Sequence, residues 1–88
     1  MKILICDDEI QYVNTLQAHV QQYMDSRFIN YEILATTSPK EILESETRFD
    51  LAFLDIQMEE MDGISLAKEL KRRNRKIALF FVTNYDDY

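Results

Sequence analysis

The sequence has few of the residues that interrupt or cross-link a fold. Its 88 residues include one glycine, one proline, one cysteine and no tryptophan. This scarcity of glycine and proline, together with a hydrophobic share of 47%, excludes a disordered or low-complexity chain. A single cysteine allows no internal disulfide, which is typical of a reducing compartment. We therefore expect a globular, cytoplasmic protein.

Long hydrophobic runs are also absent. No apolar stretch approaches the roughly 20 residues of a membrane span, and the opening Lys2–Asp8 reaches acidic residues too early for a secretory leader. The net charge is −6, and six of the ten basic residues lie between Lys68 and Lys76. We expect neither membrane association nor direct nucleic-acid binding. The basic cluster is interpreted as cations in and just after the last turn of a helix, favoured there by the helix dipole, with a small docking patch as the alternative.

Short apolar runs alternate with stretches of helical periodicity along the chain. This alternation indicates a doubly wound α/β sheet of parallel strands in a single domain, residues 1–88. The pattern predicts strands at 2–6, 31–36, 51–55 and 77–82, helices at about 8–25, 39–46 and 64–73, and the beginning of a further helix at 84–88.

Local signals predict how the helices begin and which face they bury. Asp8 can cap the first helix. Ser38 is the predicted N-cap of the second, with Pro39 at its first position and Glu41 completing a capping box. The first helix is amphipathic, and its apolar stripe consists of Ile10, Val13, Leu16, Val20 and Met24.

Polar side chains follow three of the predicted strands. Asp7 and Asp8 follow the first, Asp55 ends the third and Thr83 follows the fourth. The carboxyl ends of parallel strands lie along one edge of a sheet, so we expect the three carboxylates to converge. Such carboxylates repel one another unless a cation intervenes, and Mg²⁺ prefers this donor set. The alternative is that acids simply end strands because loops are polar.

This arrangement of residues is typical of sites that react with phosphoryl groups. An aspartate beside a bound metal ion can act as a nucleophile towards phosphorus. The hydroxyl of Thr83 could hydrogen-bond a phosphoryl oxygen. Cys6, next to the acids, is interpreted as a small buried hydrophobe rather than a metal ligand.

Three blocks of sequence resemble a known family. They are Ile5-Cys6-Asp7-Asp8-Glu9, then Leu54–Met58 with Met61–Ile64, and finally Phe81-Val82-Thr83. In this spacing they resemble the receiver domain of two-component response regulators. The resemblance implies a flavodoxin-like fold, a five-stranded parallel sheet of order 2-1-3-4-5. Most of the family's fourth helix, its fifth strand and its fifth helix have no counterpart, so we expect a domain truncated at its C-terminus.

The resemblance also implies roles for individual residues. Asp55 would accept a phosphoryl group from a histidine kinase. Asp8, Asp55 and the backbone carbonyl of Gln57 would bind Mg²⁺ directly, and Asp7 would assist through water. Thr83 would relay phosphorylation to an output domain. The family lysine that contacts the phosphoryl group has no substitute among these residues.

The expected function is therefore that of a signalling module rather than an enzyme. The output domain is expected to bind DNA, and the opening Cys-Asp-Asp-Glu is similar to regulators with a LytTR output domain. One alternative is a receiver fragment that is never phosphorylated. Another is an aspartyl phosphohydrolase, which the sequence disfavours because Ile56 and Gln57, not a second carboxylate, follow Asp55. With its fourth strand exposed as an edge, the chain is expected to form a homodimer or a swapped oligomer.

Overall fold

The structure is a computed structural model, and it describes residues 1–82. In chain order the elements are β1 (Lys2–Cys6), α1 (Ile10–Ser26), β2 (Glu32–Thr36), α2 (Pro39–Ser45), β3 (Leu51–Asp55), α3 (Gly63–Arg73) and β4 (Ala78–Val82). All strand pairs are parallel and the sheet order is β2-β1-β3-β4. The predicted α/β sheet is confirmed. Thr83 and the predicted helix start at 84–88 lie outside the described residues.

The core has two layers, one on each face of the sheet. Alternate side chains of β1 point to opposite faces, so that Leu4 packs with α2 and α3 while Ile3 and Ile5 pack with α1. These three side chains are fully buried. A strand covered on both faces has a continuous apolar sequence, as β1 does. Within residues 1–82, no helix combines the length and apolar character that a bilayer span requires.

The start of α1 differs from the prediction. Its N-cap is Glu9, which makes no side-chain cap bond, and its first turn contains no acid. Asp8 does not cap the helix because its carboxylate lies in the acidic cluster at the sheet edge instead. Ile10 is 60% exposed, whereas Val13, one turn later, is buried against the sheet. The apolar stripe of α1 therefore begins a turn later than predicted.

The starts of α2 and α3 depend on side-chain caps. The N–H of Glu41 donates to Ser38 Oγ at 3.4 Å, which confirms the predicted N-cap. The second half of the capping box is wrong, because the N–H of Ser38 donates to Thr36 Oγ1 at 3.0 Å. In α3 the N–H of Ser65 donates to the carboxylate of Asp62 at 2.7 Å. Hydrogen bonds from Ser65 lower the pKa of Asp62.

Three residues of the basic cluster, Lys71, Arg72 and Arg73, lie in the last turn of α3, Arg75 and Lys76 follow the helix, and Lys68 lies earlier in it. Glu69 pairs with Arg72 at 2.7 Å and with Arg73 at 2.9 Å. Hydrogen bonds from both guanidinium groups lower the pKa of Glu69 to about 2. Arg73 also donates to the carbonyls of Ile42 and Leu43, at 3.3 and 2.9 Å. It therefore joins the C-terminal ends of α2 and α3.

Strand β4 is an edge of the sheet within the described residues. It pairs with β3 on one side. Phe80 is 53% exposed and Phe81 is 40% exposed. Their side chains lie on opposite faces because neighbours in a strand alternate. The ring of Phe80 stacks on that of Phe53, with centroids 5.5 Å apart.

Candidate functional site

The three predicted carboxylates converge at the carboxyl edge of the sheet. The register pairs Cys6 of β1 with Leu54 of β3, so Asp7 and Asp55 follow on neighbouring strands. One carboxylate oxygen from each of Asp7, Asp8 and Asp55 lies within 4.8 Å of the other two. Parallel pairing of β1 and β3 thus brings together acids almost 50 positions apart in the sequence.

Burial differs across the cluster and determines its electrostatics. Asp7 is 5% exposed, Asp55 is half-buried and Asp8 is exposed. Burial is the largest cause of the raised pKa of Asp55, and the neighbouring charge of Asp7 raises it further. A backbone hydrogen bond from Gln57 opposes the shift. The N–H of Glu9 donates to Asp7 Oδ1 at 3.0 Å.

The donor set fits a hard divalent cation. Carboxylate oxygens at this separation repel one another, and a cation between them would remove the repulsion. Mg²⁺ is bound in proteins through one or two carboxylates while it keeps several waters. The exposed Asp8 leaves one side of the cluster open to solvent. Asp7, Asp8 and Asp55 are therefore the residues that could hold Mg²⁺.

Gly63 lies against the backbone of Asp55, a contact that the sequence did not predict. Its N–H donates to the carbonyl of Ile56 at 2.7 Å. A Cβ atom at this position would overlap the carbonyl oxygen of Asp55 and would lie 2.9 Å from its carbonyl carbon. This backbone contact requires glycine. The signal available in the sequence was that Gly63 is the only glycine in the chain.

The loop of residues 56–62 follows Asp55, and the side chains of Met58 and Glu60 attach it to the rest of the domain. Met58 is buried, and its Sδ lies 3.7 Å from Cys6 Sγ. Glu60 accepts hydrogen bonds from Ser38 Oγ at 3.1 Å and from the N–H of Lys40 at 3.3 Å. The role of Glu60 was missed because its partners are about 20 positions away in the sequence.

Cys6 is a buried hydrophobe, as interpreted. It is 1% exposed, and burial followed by the charge of Asp7 raises the pKa of its thiol to about 12. A thiol that keeps its proton is a poor metal ligand. The placement of the Gln57 carbonyl as a ligand stays a prediction, as does the role of Thr83 outside the described residues.

The family model of the response regulator receiver domain matches residues 3–88. The chain belongs to this family. The expected family and the flavodoxin-like fold are thereby confirmed. Receiver domains of response regulators are signalling modules, and this one carries its acidic cluster at the same sheet edge that the sequence predicted.

Curated relatives of this receiver domain are longer proteins. The transcriptional regulatory protein ZraR of Escherichia coli (strain K12) is 35% identical over 85 residues, which cover 94% of this chain and 18% of ZraR. The sensory transduction protein LytT of Bacillus cereus is 30% identical over 88 residues, which cover the whole chain and 35% of LytT. The chain thus spans between just under a fifth and just over a third of the length of these relatives.

Solved structures that are similar to this chain include that of the response regulator TrrA of Thermotoga maritima. TrrA in complex with Mg²⁺-BeF has a TM-score of 0.76 and 26% identity, and the match covers 97% of this chain and 70% of that chain. TrrA has also been crystallised with the histidine kinase ThkA, where the TM-score is 0.74 at 27% identity, with 99% and 72% covered.

Proposed function

We propose that this receiver domain accepts a phosphoryl group on Asp55 from the phosphohistidine of a histidine kinase. The observation that carries the proposal is the convergence of Asp7, Asp8 and Asp55 within 4.8 Å at the sheet edge. Mg²⁺ would be held by Asp8, Asp55 and the backbone carbonyl of Gln57, with Asp7 acting through water. The complexes of TrrA with Mg²⁺-BeF and with a histidine kinase support this proposal.

The proposed step is a direct transfer of the phosphoryl group to Asp55. A carboxylate oxygen of Asp55 forms the new bond to phosphorus, the bond from phosphorus to the histidine ring nitrogen breaks, and its electron pair stays on that nitrogen. Asp55 is half-buried, so water has limited access to the product. When bound, Mg²⁺ offsets the negative charge that accumulates on the phosphoryl oxygens. The exposed Asp8 leaves that side of the cluster open for a donor.

We also propose how the signal leaves the domain. The hydroxyl of Thr83 would move towards the phosphorylated Asp55, and this movement would be read by an output domain in a longer protein. ZraR is a transcriptional regulatory protein, which supports a DNA-binding output. The module would act in the cytoplasm and would relay a phosphoryl group rather than turn over a substrate.

The test is the response of the chain to Mg²⁺ and beryllofluoride, followed by backbone NMR. We expect amide shifts at Asp7, Asp8, Asp55 and Thr83, because beryllofluoride bound to a carboxylate mimics a phosphoryl group. Asp55→Asn, which removes the acceptor oxygen's charge, should abolish the beryllofluoride-dependent shifts. A folded wild-type chain that shows no response would contradict the proposal and would favour the alternative of an unphosphorylated fragment.

We further propose that two copies of this chain associate through β4. The outer edge of β4 is unpaired within the described residues, and exposed phenylalanines lie on both of its faces. An apolar edge strand is a template for pairing with another chain. A groove of about 310 Å³ beside Phe80, lined by residues of α1 and β3, adds apolar surface.

Light scattering over a range of concentrations tests this association. We expect the mass to approach that of a dimer as concentration rises, and Phe81→Lys should lower the dimer fraction at least about tenfold, since a charge on the edge opposes pairing. Phe28→Lys is the matched control, because Phe28 is 94% exposed and lies outside the sheet. A monomer at every concentration would refute the proposal.

A further inference from the structure

The side chain of Glu60 connects the loop after Asp55 to a helix that this loop does not join. Residues 56–62 lead from β3 to α3. Glu60 nevertheless accepts hydrogen bonds from Ser38 Oγ and from the N–H of Lys40, at the start of α2. The loop is therefore held by α2 as well as by its own ends.

The start of α2 explains why an acid is bound there. The first N–H groups of a helix have no partner within the helix. Pro39 has no N–H, and the N–H of Glu41 donates to Ser38 Oγ. The N–H of Lys40 is the remaining donor of this first turn, and the carboxylate of Glu60 accepts a hydrogen bond from it at 3.3 Å. A carboxylate is also favoured at this end of a helix by the helix dipole.

Further hydrogen bonds connect the start of α2 to Asp7, the member of the acidic cluster that follows β1. The N–H of Ser38 donates to Thr36 Oγ1 at 3.0 Å, and the N–H of Asp7 donates to the carbonyl of Thr36 at 3.4 Å. Thr36 is 8% exposed. A chain of contacts therefore runs from Asp7 through Thr36 and Ser38 to Glu60, and from there along the loop to Asp55. These contacts connect Asp7 with Asp55 without using the pairing between β1 and β3.

We propose that Glu60 is a positioning residue for the chemistry at Asp55, an inference that rests on the proposed function. The pairing of β1 with β3 brings Asp55 beside Asp7, and by fixing the loop to α2 Glu60 holds the backbone that follows Asp55, including the Gln57 carbonyl, in place relative to these acids. It acts through the loop backbone and does not itself belong to the carboxylate cluster. Glu59, the preceding residue, is exposed and has the same charge, which makes it a matched comparison.

The experiment measures Mg²⁺ affinity by NMR titration of the full chain with Mg²⁺ alone, below the melting temperature of every variant. Glu60→Ala, Glu60→Gln and Glu59→Ala each remove one negative charge, so any general electrostatic weakening is shared. Glutamine keeps an oxygen that can accept from Ser38 and Lys40. We expect Glu60→Ala to weaken Mg²⁺ binding about fivefold relative to Glu59→Ala, somewhat less than the roughly tenfold or greater losses seen when partners of metal ligands are removed. Glu60→Gln should match Glu59→Ala within about twofold by the same reasoning.

Two results would overturn the proposal. If Glu60→Ala lowers the melting temperature but binds Mg²⁺ as Glu59→Ala does, Glu60 only caps α2. If Glu60→Gln binds Mg²⁺ as weakly as Glu60→Ala does, the negative charge of Glu60 is responsible and its hydrogen bonds to α2 are not.

A second titration, with Mg²⁺ and beryllofluoride, separates this inference from the proposed function. A wild-type chain that binds Mg²⁺ but not beryllofluoride contradicts phosphoryl acceptance at Asp55, while the Mg²⁺ comparison still decides the role of Glu60. A wild-type chain that does not bind Mg²⁺ overturns both.

Discussion

Gly63→Ala is expected to destabilise the fold by about 2 kcal/mol and to disturb the carboxylate cluster. At a position without steric conflict, replacing glycine by alanine stabilises a protein by about 0.4–1 kcal/mol through the unfolded chain. Here the added Cβ would overlap the carbonyl oxygen of Asp55 and would lie 3.1 Å from the Cα of Ile56. These are backbone atoms, which cannot rotate away, and such overpacking typically costs about 1–3 kcal/mol or more. The cost of this overlap therefore exceeds the gain through the unfolded chain, and the variant is expected to be less stable than the wild type.

Thermal unfolding and Mg²⁺ titration together check this prediction. A loss of about 2 kcal/mol corresponds to a fall in melting temperature of roughly 8–16 °C for a domain of this size. Ile64→Ala is the control, since Ile64 is the next residue of α3 and is 46% exposed. It should cost less than about 1 kcal/mol. If Gly63→Ala were as stable as the wild type and bound Mg²⁺ equally well, the contact between Gly63 and Asp55 would not constrain the site.

Arg73→Ala is expected to cost about 2–3 kcal/mol, well above the cost of Arg72→Ala. The side chain of Arg73 is 14% exposed, whereas that of Arg72 is 72% exposed, although both pair with Glu69. Arg73 alone of the two also donates to carbonyls at the end of α2. Hydrogen bonds from a charged group are worth about 1.5–3 kcal/mol. The Ile42 carbonyl keeps a hydrogen bond from Ser45 Oγ when Arg73 is removed, so the loss comes from the charged bonds to both carbonyls.

Urea denaturation of the two single variants and of Glu69→Ala separates the contributions. Arg72→Ala should change the free energy of unfolding by less than about 1 kcal/mol, as is usual for an exposed ion pair. Equal losses in Arg72→Ala and Arg73→Ala would contradict the prediction, because the shared partner Glu69 would then account for both. Arg73→Lys should recover little, since an ammonium group cannot reach two carbonyls in the fork geometry of a guanidinium.

The features that the sequence predicted correctly depend on local patterns and on the geometry of parallel sheets. An apolar run of four residues between polar neighbours specifies a strand such as β1, and parallel pairing then places Asp7 and Asp55 at one edge. Ser38 was assigned correctly because an N-cap is defined by residues within one turn.

The features that were missed or wrong depend on contacts between distant segments. Asp8 satisfies the sequence rule for an N-cap, but it lies in the acidic cluster, so tertiary position overrides the local preference. Likewise, nothing near Glu60 in the sequence indicates that its partner is the start of α2. The proximity of Gly63 to Asp55 depends on how the 56–62 loop closes, which no local pattern determines.

The burial of Cys6 makes the native chain resistant to chemistry that attacks thiols. Alkylating and disulfide-exchanging reagents react with the thiolate, which is rare for a thiol whose pKa is about 12 and which is 1% exposed. Modification must therefore await transient opening of the sheet beside Asp7 and Asp55. The rate of labelling at this single position, the only cysteine in the chain, is consequently a direct measure of how often the centre of the domain opens.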